Sequence, residues 1–432
     1  MGQESVQFDI ESLDAGFHLS SLFPFFFLKA PLGKPSWEKP QKKNIFDRIL
    51  SRHYKHSQAN AVEALDKAVC RLTGVRFCIG TSSGRDAIKL SLLAMDLRPG
   101  DRVILPDYCC LSVLMPVLEL GLTPVFADCT KDLQMDPESV RRVMQPGDKV
   151  LIVPHLFGGL APMKKLLNMA RNNGTMVIDD AAQAMGLKHS QGNAGSGGDC
   201  GILSFGLFKP ITAMGGGAFV TDNETLYRRA REVIKESPEP DISAASVLKI
   251  YLKMAWRHRT YALFLLHRWR LQQAQSTEPL HISENKTVGK ISKFDALLAA
   301  SQVEKIVQHR QTMIKSAFIF ASRLNQMPCL ASVPDDGAVG FPRWPVKYMD
   351  SPSAAYPDFF AFMLKNGIEV QPAYRPLHKY MKEMGLPIKG EYQNSLDLYN
   401  KIVCLPFDSG KNDIKILSCI EQFCRKKGFA KT

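Results

Sequence analysis

Strand-like apolar runs alternate with amphipathic helical patterns from Asn60 to about Ile234, and this rhythm leaves few folds open. AVEALDKAVCRLTG (61–74) reads as a helix stopped by Gly74. VRFCIGTSSGRDAIKLSLLAM (75–95) reads as a strand, a Ser/Gly turn and a helix, and DRVILPDYCCLSVLMPVLELG (101–121) as a second strand and helix. TPVFADCTKDLQMDPESV (123–140) and KVLIVPHLFGG with APMKKLLNMARNNG (149–174) repeat the pattern. Strands alternating with helices predict an α/β fold, here a doubly wound and mostly parallel sheet.

The stretch from Met176 to Thr221 gives that sheet its chemistry. MVIDDAAQAMG runs as a strand into two carboxylates, Asp179 and Asp180. A Gly/Ser-rich passage, HSQGNAGSGGDCG, leads to the strand GILSF, which ends on Ser204 and Phe205. Lys209, the run Gly215–Gly217 and the strand AFVTD follow. Residues at the carboxyl ends of such strands converge on one crevice. A lysine amine there can condense with a carbonyl compound, and a carboxylate can keep a heterocyclic nitrogen protonated. Pyridoxal 5'-phosphate (PLP) uses both groups. The turn at Ser83–Gly84–Arg85 aims backbone amides and a helix N-terminus at one point, which suits a phosphate.

VIDDAAQA, then SFGLFK and a glycine run, resembles the DegT/DnrJ/EryC1/StrS family of PLP-dependent sugar aminotransferases, of fold type I. The resemblance implies a large doubly wound sheet domain plus a smaller C-terminal α+β domain. It implies that Lys209 binds the cofactor aldehyde, Asp180 meets the pyridine nitrogen, Gln183 lies beside the ring hydroxyl and Ser204 holds phosphate. Where the family has Ser-Gly-Thr on the phosphate, this chain has Ser83, Gly84 and Arg85. The Arg85 guanidinium either binds phosphate as a charged fork or faces solvent. The position of the family's ring-stacking aromatic falls on Cys110, with Tyr108 two residues earlier, so either Tyr108 stacks or the stack is lacking. His155, Tyr374 and His378 fall in segments similar to family ones around the substrate. The Asn-Tyr-Arg through which a family partner subunit reaches the cofactor is replaced by Val288, Gly289 and Lys290.

Four divisions follow: an N-terminal extension (1–59), the PLP-binding α/β domain (60–236), a basic helical insertion (237–285), and a connecting helix with the small domain (286–432). KISKFDALLAASQVEKIVQHRQ (290–311) reads as one long helix. The aromatic stretch FHLSSLFPFFFLKAP (17–31) is broken by Pro24 and serves either as a strap on the main domain or as an interfacial membrane contact. In 246–273 Lys249, Lys253, Arg257, Arg259, Arg268 and Arg270 interleave with Trp256, Tyr261, Phe264 and Trp269. One or two amphipathic helices there either pack on the protein or attach to an anionic membrane or acidic partner.

The formal charge of +13 suits an anionic substrate or surface. No nucleic-acid-binding signature accompanies it. The ten cysteines show no paired metal spacing and read as reduced core thiols, so no metal is expected. With no signal-peptide pattern and no bilayer-length apolar run, a cytoplasmic protein is expected, membrane-associated if the basic stretch docks. The expected activity is transfer of an amino group from an amino acid, glutamate in most of the family, to a nucleotide-linked keto sugar by a homodimer, in polysaccharide or secondary-metabolite biosynthesis. The alternatives are a cyclitol or other non-sugar ketone as acceptor, or a catalytically idle regulatory or scaffold protein. Family dehydratases carry histidine in place of the lysine, and Lys209 argues against that chemistry.

Overall fold

The computed structural model describes residues 41–43, 45–46, 60–206, 209–237, 240, 242–257, 282, 284–333, 343–348, 355–407 and 411–429. The aromatic stretch 17–31 and the second half of the basic insertion, 258–281, lie outside the described residues.

Helix α1 (Ala61–Thr73) stops at Gly74, whose φ of 81° is the left-handed turn that glycine adopts without strain. Then come β1 (Phe77–Thr81), α2 (Gly84–Ala94), β2 (Arg102–Pro106), α3 (Leu111–Glu119), β3 (Thr123–Ala127), α4 (Pro137–Val143), β4 (Val150–Pro154), α5 (Met163–Asn173) and β5 (Met176–Asp180). A hairpin of β6 (Lys188–His189) and β7 (Gly192–Asn193) precedes β8 (Cys200–Ser204) and β9 (Gly217–Thr221). Helices α6 (Glu224–Lys235) and α7 (Ala244–Arg257) follow.

Seven strands form one sheet in the order β1-β9-β8-β5-β4-β2-β3. The run from β8 to β3 is parallel. Strand β9 opposes both neighbours, because the Lys209 loop returns it directly from β8 without a crossover helix. Side chains alternate between two apolar layers: Val103, Leu105, Ile152, Ile178 and Phe219 on one face, Ile104, Leu151, Val153, Val177 and Val220 on the other. Helices α2, α3 and α6 cover the first layer, and α1, α4 and α5 the second. Both faces are therefore buried, which makes the sheet doubly wound as the alternation predicts.

The expected long helix is instead two, α8 (Lys293–Val303) and α9 (Ile306–Leu324). The break has a packing cause. Helix α8 buries Leu298, Ala299 and Val303 against the main sheet's outer layer, whereas α9 buries Ala317, Phe320 and Leu324 in a separate core. That second core belongs to a four-stranded antiparallel sheet, ordered β10 (Leu330–Ser332), β11 (Arg343–Tyr348), β13 (Ile402–Pro406), β12 (Gln371–Pro372). Trp344, Phe359, Phe407 and Phe423 fill it, from β11, α10 (Ala355–Lys365), the end of β13 and α13 (Lys411–Lys426). In the same core Cys329 and Cys424 are joined as a disulfide, with Cα atoms 6.5 Å apart, which corrects the reading of all ten cysteines as isolated thiols. Pairing at sequence separation 95 leaves no signature in local spacing.

Helices α11 (Leu377–Glu383) and α12 (Gln393–Lys401) pack on the main core rather than on that second one. Two carboxylates fasten them. Asp107, just past β2, accepts from His378 N at 2.8 Å and from His378 Nδ1 at 2.7 Å. Asp128, just past β3, accepts from Asn394 N (3.0 Å), Ser395 N (2.9 Å) and Ser395 Oγ (2.7 Å). Each carboxylate serves the amide-rich N-terminus of a helix that arrives more than 260 residues later in the chain. Replacing Asp128 with Ala strands buried donors and is expected to cost about 2–4 kcal/mol. Hydrogen exchange is the check: amides of 393–401 should open before those of the seven-stranded sheet.

Candidate active site

Adjacent residues of a strand point to opposite faces, so Asp179 and Asp180 cannot share a role. Asp179 turns inward and is fully buried. Its carboxylate accepts from His155 Nε2 (2.9 Å), His189 Nε2 (3.1 Å), Gly195 N (3.0 Å) and Gly197 N (2.9 Å). The backbone fixes both imidazole tautomers, because Ala161 N donates to His155 Nδ1 and Gln191 N to His189 Nδ1. Each Nε2 therefore carries the proton and donates. The three side chains come close enough to hold a cation, yet these hydrogen bonds account for the grouping without one. Burial by itself would raise the Asp179 carboxyl; His155, His189 and the Gly197 amide outweigh it and hold the group well below the ordinary carboxylate range. The glycines of the intervening passage have a steric purpose: a Cβ on Gly197 would stand 2.6 Å from His189 Cε1.

His155 was expected near substrate, and its surroundings correct that expectation. Its side chain is fully buried and both ring nitrogens are committed. His378 likewise gives Nδ1 to Asp107 and stacks on Tyr392, ring centroids 5.0 Å apart.

Asp180 faces the other way, toward Lys209. It is buried, accepts from Ala182 N at 2.9 Å, and has its carboxyl raised by burial, an effect the Ala182 amide and the Lys209 charge offset in part. Burial lowers the Lys209 amine; Cys110 and Asp180 favour its charged form and Arg343 opposes it. An amine lowered this way is more readily neutral, hence nucleophilic. The Lys209 loop is pinned from α8: Lys209 O accepts from Thr212 Oγ1 at 3.1 Å, and Gln302 exchanges two hydrogen bonds with the Thr212 backbone. Asp295 takes Met214 N and Gly215 N at 3.0 and 2.9 Å.

The proposed phosphate end is assembled from β8 and the start of α2. A Cβ on Gly84 would sit 2.8 Å from Ser204 Cβ and 3.0 Å from Ser204 Oγ, so only glycine lets the turn close on that serine. Ser83 caps α2 through Asp86 N, and a parallel bridge to Gly216 ties the turn to the start of β9. Arg85 is exposed, with Nη2 3.5 Å from Ser112 Oγ, and so reaches across to the start of α3.

Gln183 is held at three points. Its Oε1 accepts from Phe157 N (3.0 Å), its Nε2 donates to Tyr374 Oη (2.9 Å), and its carbonyl accepts from Arg310 Nη2 (2.8 Å). Tyr374 thus joins the site, its ring 5.2 Å from Phe157 and edge-on to Tyr108 at 6.1 Å. Tyr108 is fully buried beneath it. Of the two candidates for the cofactor's face, Cys110 is the one within electrostatic reach of Lys209.

These residues fit PLP. A buried carboxylate with an incomplete counter-charge suits a protonated ring nitrogen, and the Gly84–Ser204 cradle suits a phosphate. A sequence model of the DegT/DnrJ/EryC1/StrS aminotransferase family matches residues 38–422. The chain belongs to that family. A curated relative, the UDP-N-acetyl-3-dehydro-alpha-D-glucosamine 3-aminotransferase of Acidithiobacillus ferrooxidans, is 37% identical over 174 residues, 40% of this chain. The chain spans about half the length of that relative, 47%. Among solved structures, a DegT DnrJ EryC1 StrS aminotransferase from Brucella abortus superposes with a TM-score of 0.68 at 20% identity, covering 89% of this chain and 96% of that one. E. coli GDP-4-keto-6-deoxy-D-mannose-3-dehydratase, with bound hydrated PLP, gives 0.72 at 17% identity, covering 91% and 99%. The family fold thus carries both transaminases and dehydratases, and side chains, not topology, must separate them.

Three residues that shape this site escaped the sequence reading. Arg310 is buried, brought down to about 10 by that burial, and also donates to Met185 O at 3.2 Å. Arg343 faces Lys209 from the second sheet. Asp107 anchors His378. Only contacts across the folded chain reveal them.

Two predictions follow from this geometry. The depressed Asp179 pKa adds stability that is present above the unfolded carboxylate value of about 3.9 and lost as pH falls through the folded value. Asp179→Asn should lower stability near neutral pH by about 2–4 kcal/mol and flatten its decline in acid, as read by denaturant midpoints against pH. Arg310→Met should cost a similar amount, about 2–4 kcal/mol, and weaken PLP capture, while Arg310→Lys should recover part of both.

Proposed function

We propose that this chain is a PLP-dependent aminotransferase that moves an amino group from an amino acid, glutamate, to a keto sugar carried on a nucleotide. The observation that carries the reading is the placing of Lys209, half-buried, within electrostatic reach of buried Asp180 past the carboxyl end of the sheet, with the Gly84–Ser204 turn beside the same strand ends. The curated relative's name, a 3-aminotransferase of a UDP-linked dehydro sugar, supports this acceptor class. The overall charge of +13 is compatible with it.

Bound PLP supplies an electron sink for a carbanion developing at the substrate carbon. The protein's own groups do the rest. Lys209 Nζ would anchor the cofactor and, as a free amine, would accept and return a proton at the reacting carbon. Burial lowers its affinity for a proton, which favours the neutral amine that can act as a base. Asp180 keeps a positive charge on the ring nitrogen, and Gln183, held by Phe157 and Tyr374, orients the ring. Ser204 with the Gly84–Arg85 turn holds the phosphate. A lysine at position 209, where family dehydratases place histidine, favours amino transfer over dehydration. The same reading makes the working unit a homodimer.

A second reading of the acceptor, a cyclitol or other non-sugar ketone, is favoured by one observation. Cys110 occupies the place of the stacking aromatic, so the ring's surroundings differ from the family pattern.

The test is the visible spectrum of the purified protein with PLP, before and after glutamate. A lysine-bound cofactor band that disappears in Lys209→Ala, and that glutamate converts to the pyridoxamine form, is the expected result. Asp180→Asn should keep the band and slow the conversion by about a hundredfold or more, as for loss of a major electrostatic contact. A band that glutamate leaves unchanged would reject glutamate as donor. Absence of any band would reject the enzyme reading in favour of a scaffold. Sedimentation mass checks the dimer.

A further inference from the structure

The end of the N-terminal extension and the first turns of α7 meet on one surface. Ile45 and Val247 are buried in the same core layer as α1 and α8. Beside them Phe46 packs edge-on against Tyr251, ring centroids 5.6 Å apart. Phe46, Leu248 and Leu252 nevertheless remain 46%, 39% and 43% exposed. Leu248 and Leu252 are one helical turn apart and share a side of α7, next to Tyr251. Two segments about 200 residues apart in sequence thus build one apolar patch.

Its surroundings are cationic. Lys42, Lys43 and Lys249 are exposed on the same two segments. In sequence, no acid occurs between Asp241 and Glu278, while Lys249, Lys253, Arg257, Arg259, Arg268 and Arg270 do. A second copy of the chain is a poor occupant. A two-fold contact sets a patch against itself, which would bring two cationic rims together. An anionic lipid surface meets both parts of the patch. Apolar side chains enter the acyl boundary while lysine ammonium groups stay among the headgroups. Among the described residues no helix is long and apolar enough to cross a membrane, so the contact would be peripheral.

We propose that Phe46, Leu248 and Leu252, framed by Lys42, Lys43 and Lys249, dock this protein on an anionic membrane surface. The inference stands apart from the reaction and survives if the aminotransferase reading fails.

Flotation of the full chain with vesicles tests it. Phosphatidylcholine vesicles containing phosphatidylglycerol should bind the protein at least tenfold better than phosphatidylcholine alone, and raised salt should weaken the binding. The variant Phe46→Ser/Leu248→Ser/Leu252→Ser should lose at least tenfold with its melting temperature unchanged. Lys42→Gln/Lys43→Gln/Lys249→Gln should bind less and respond less to salt. No flotation of the intact chain, or equal flotation of the serine variant, would overturn the proposal. So would a patch-dependent doubling of mass in light scattering, which would identify a second copy. A fall in melting temperature of the serine variant without any vesicle binding would assign the patch to the protein's own fold.

Discussion

Four donors converge on the Asp179 carboxylate, and much of the site is arranged around that convergence. Two are imidazoles whose tautomers the backbone has already set; two are amides of a glycine-rich turn. The ionised group is worth burying only because all four are present, since a partly satisfied carboxylate at this depth would neutralise or unfold its surroundings. Its consequence is positional. With Asp179 locked inward, the pleat of β5 forces Asp180 to the opposite side, toward Lys209. The inner carboxylate accepts four hydrogen bonds; among the described residues the outer one accepts from Ala182 N and lies within reach of the Lys209 charge.

The same logic recurs at the neighbouring strand ends. Asp107 and Asp128 lie just past β2 and β3, yet they serve the N-termini of α11 and α12. The segment leading into α11 carries Tyr374, whose hydroxyl accepts from Gln183 Nε2. Three strand-end carboxylates therefore act through structure. A carboxylate following a buried strand is not by itself a catalytic signal.

The fold was legible because its pattern is local. The continuous apolar runs of β2, β4 and β5 and the Gly74 stop are written in neighbouring residues. The candidate residues Asp180, Gln183, Ser204 and Lys209 could be nominated for the same reason, since they fall within one stretch. The rest depended on partners far away in sequence. Nothing around Arg310 announces that its guanidinium reaches the carbonyls of Gln183 and Met185, and nothing around His155 announces that Asp179 takes its free nitrogen. The break between α8 and α9 was hidden because both halves keep helical periodicity; they differ only in which core receives them.

Cys110 and Arg85, the two departures from the family pattern, sit at neighbouring helix starts: Cys110 is the residue before α3, and Arg85 Nη2 lies 3.5 Å from Ser112 Oγ in the first turn of that helix. Tyr108 is fully buried and meets Tyr374 edge-on, with ring centroids 6.1 Å apart. On the proposed reading a thiol would give the cofactor ring less stacking than an aromatic side chain, and the Gln183 side chain, held by Phe157 and Tyr374, would be the group left to orient it.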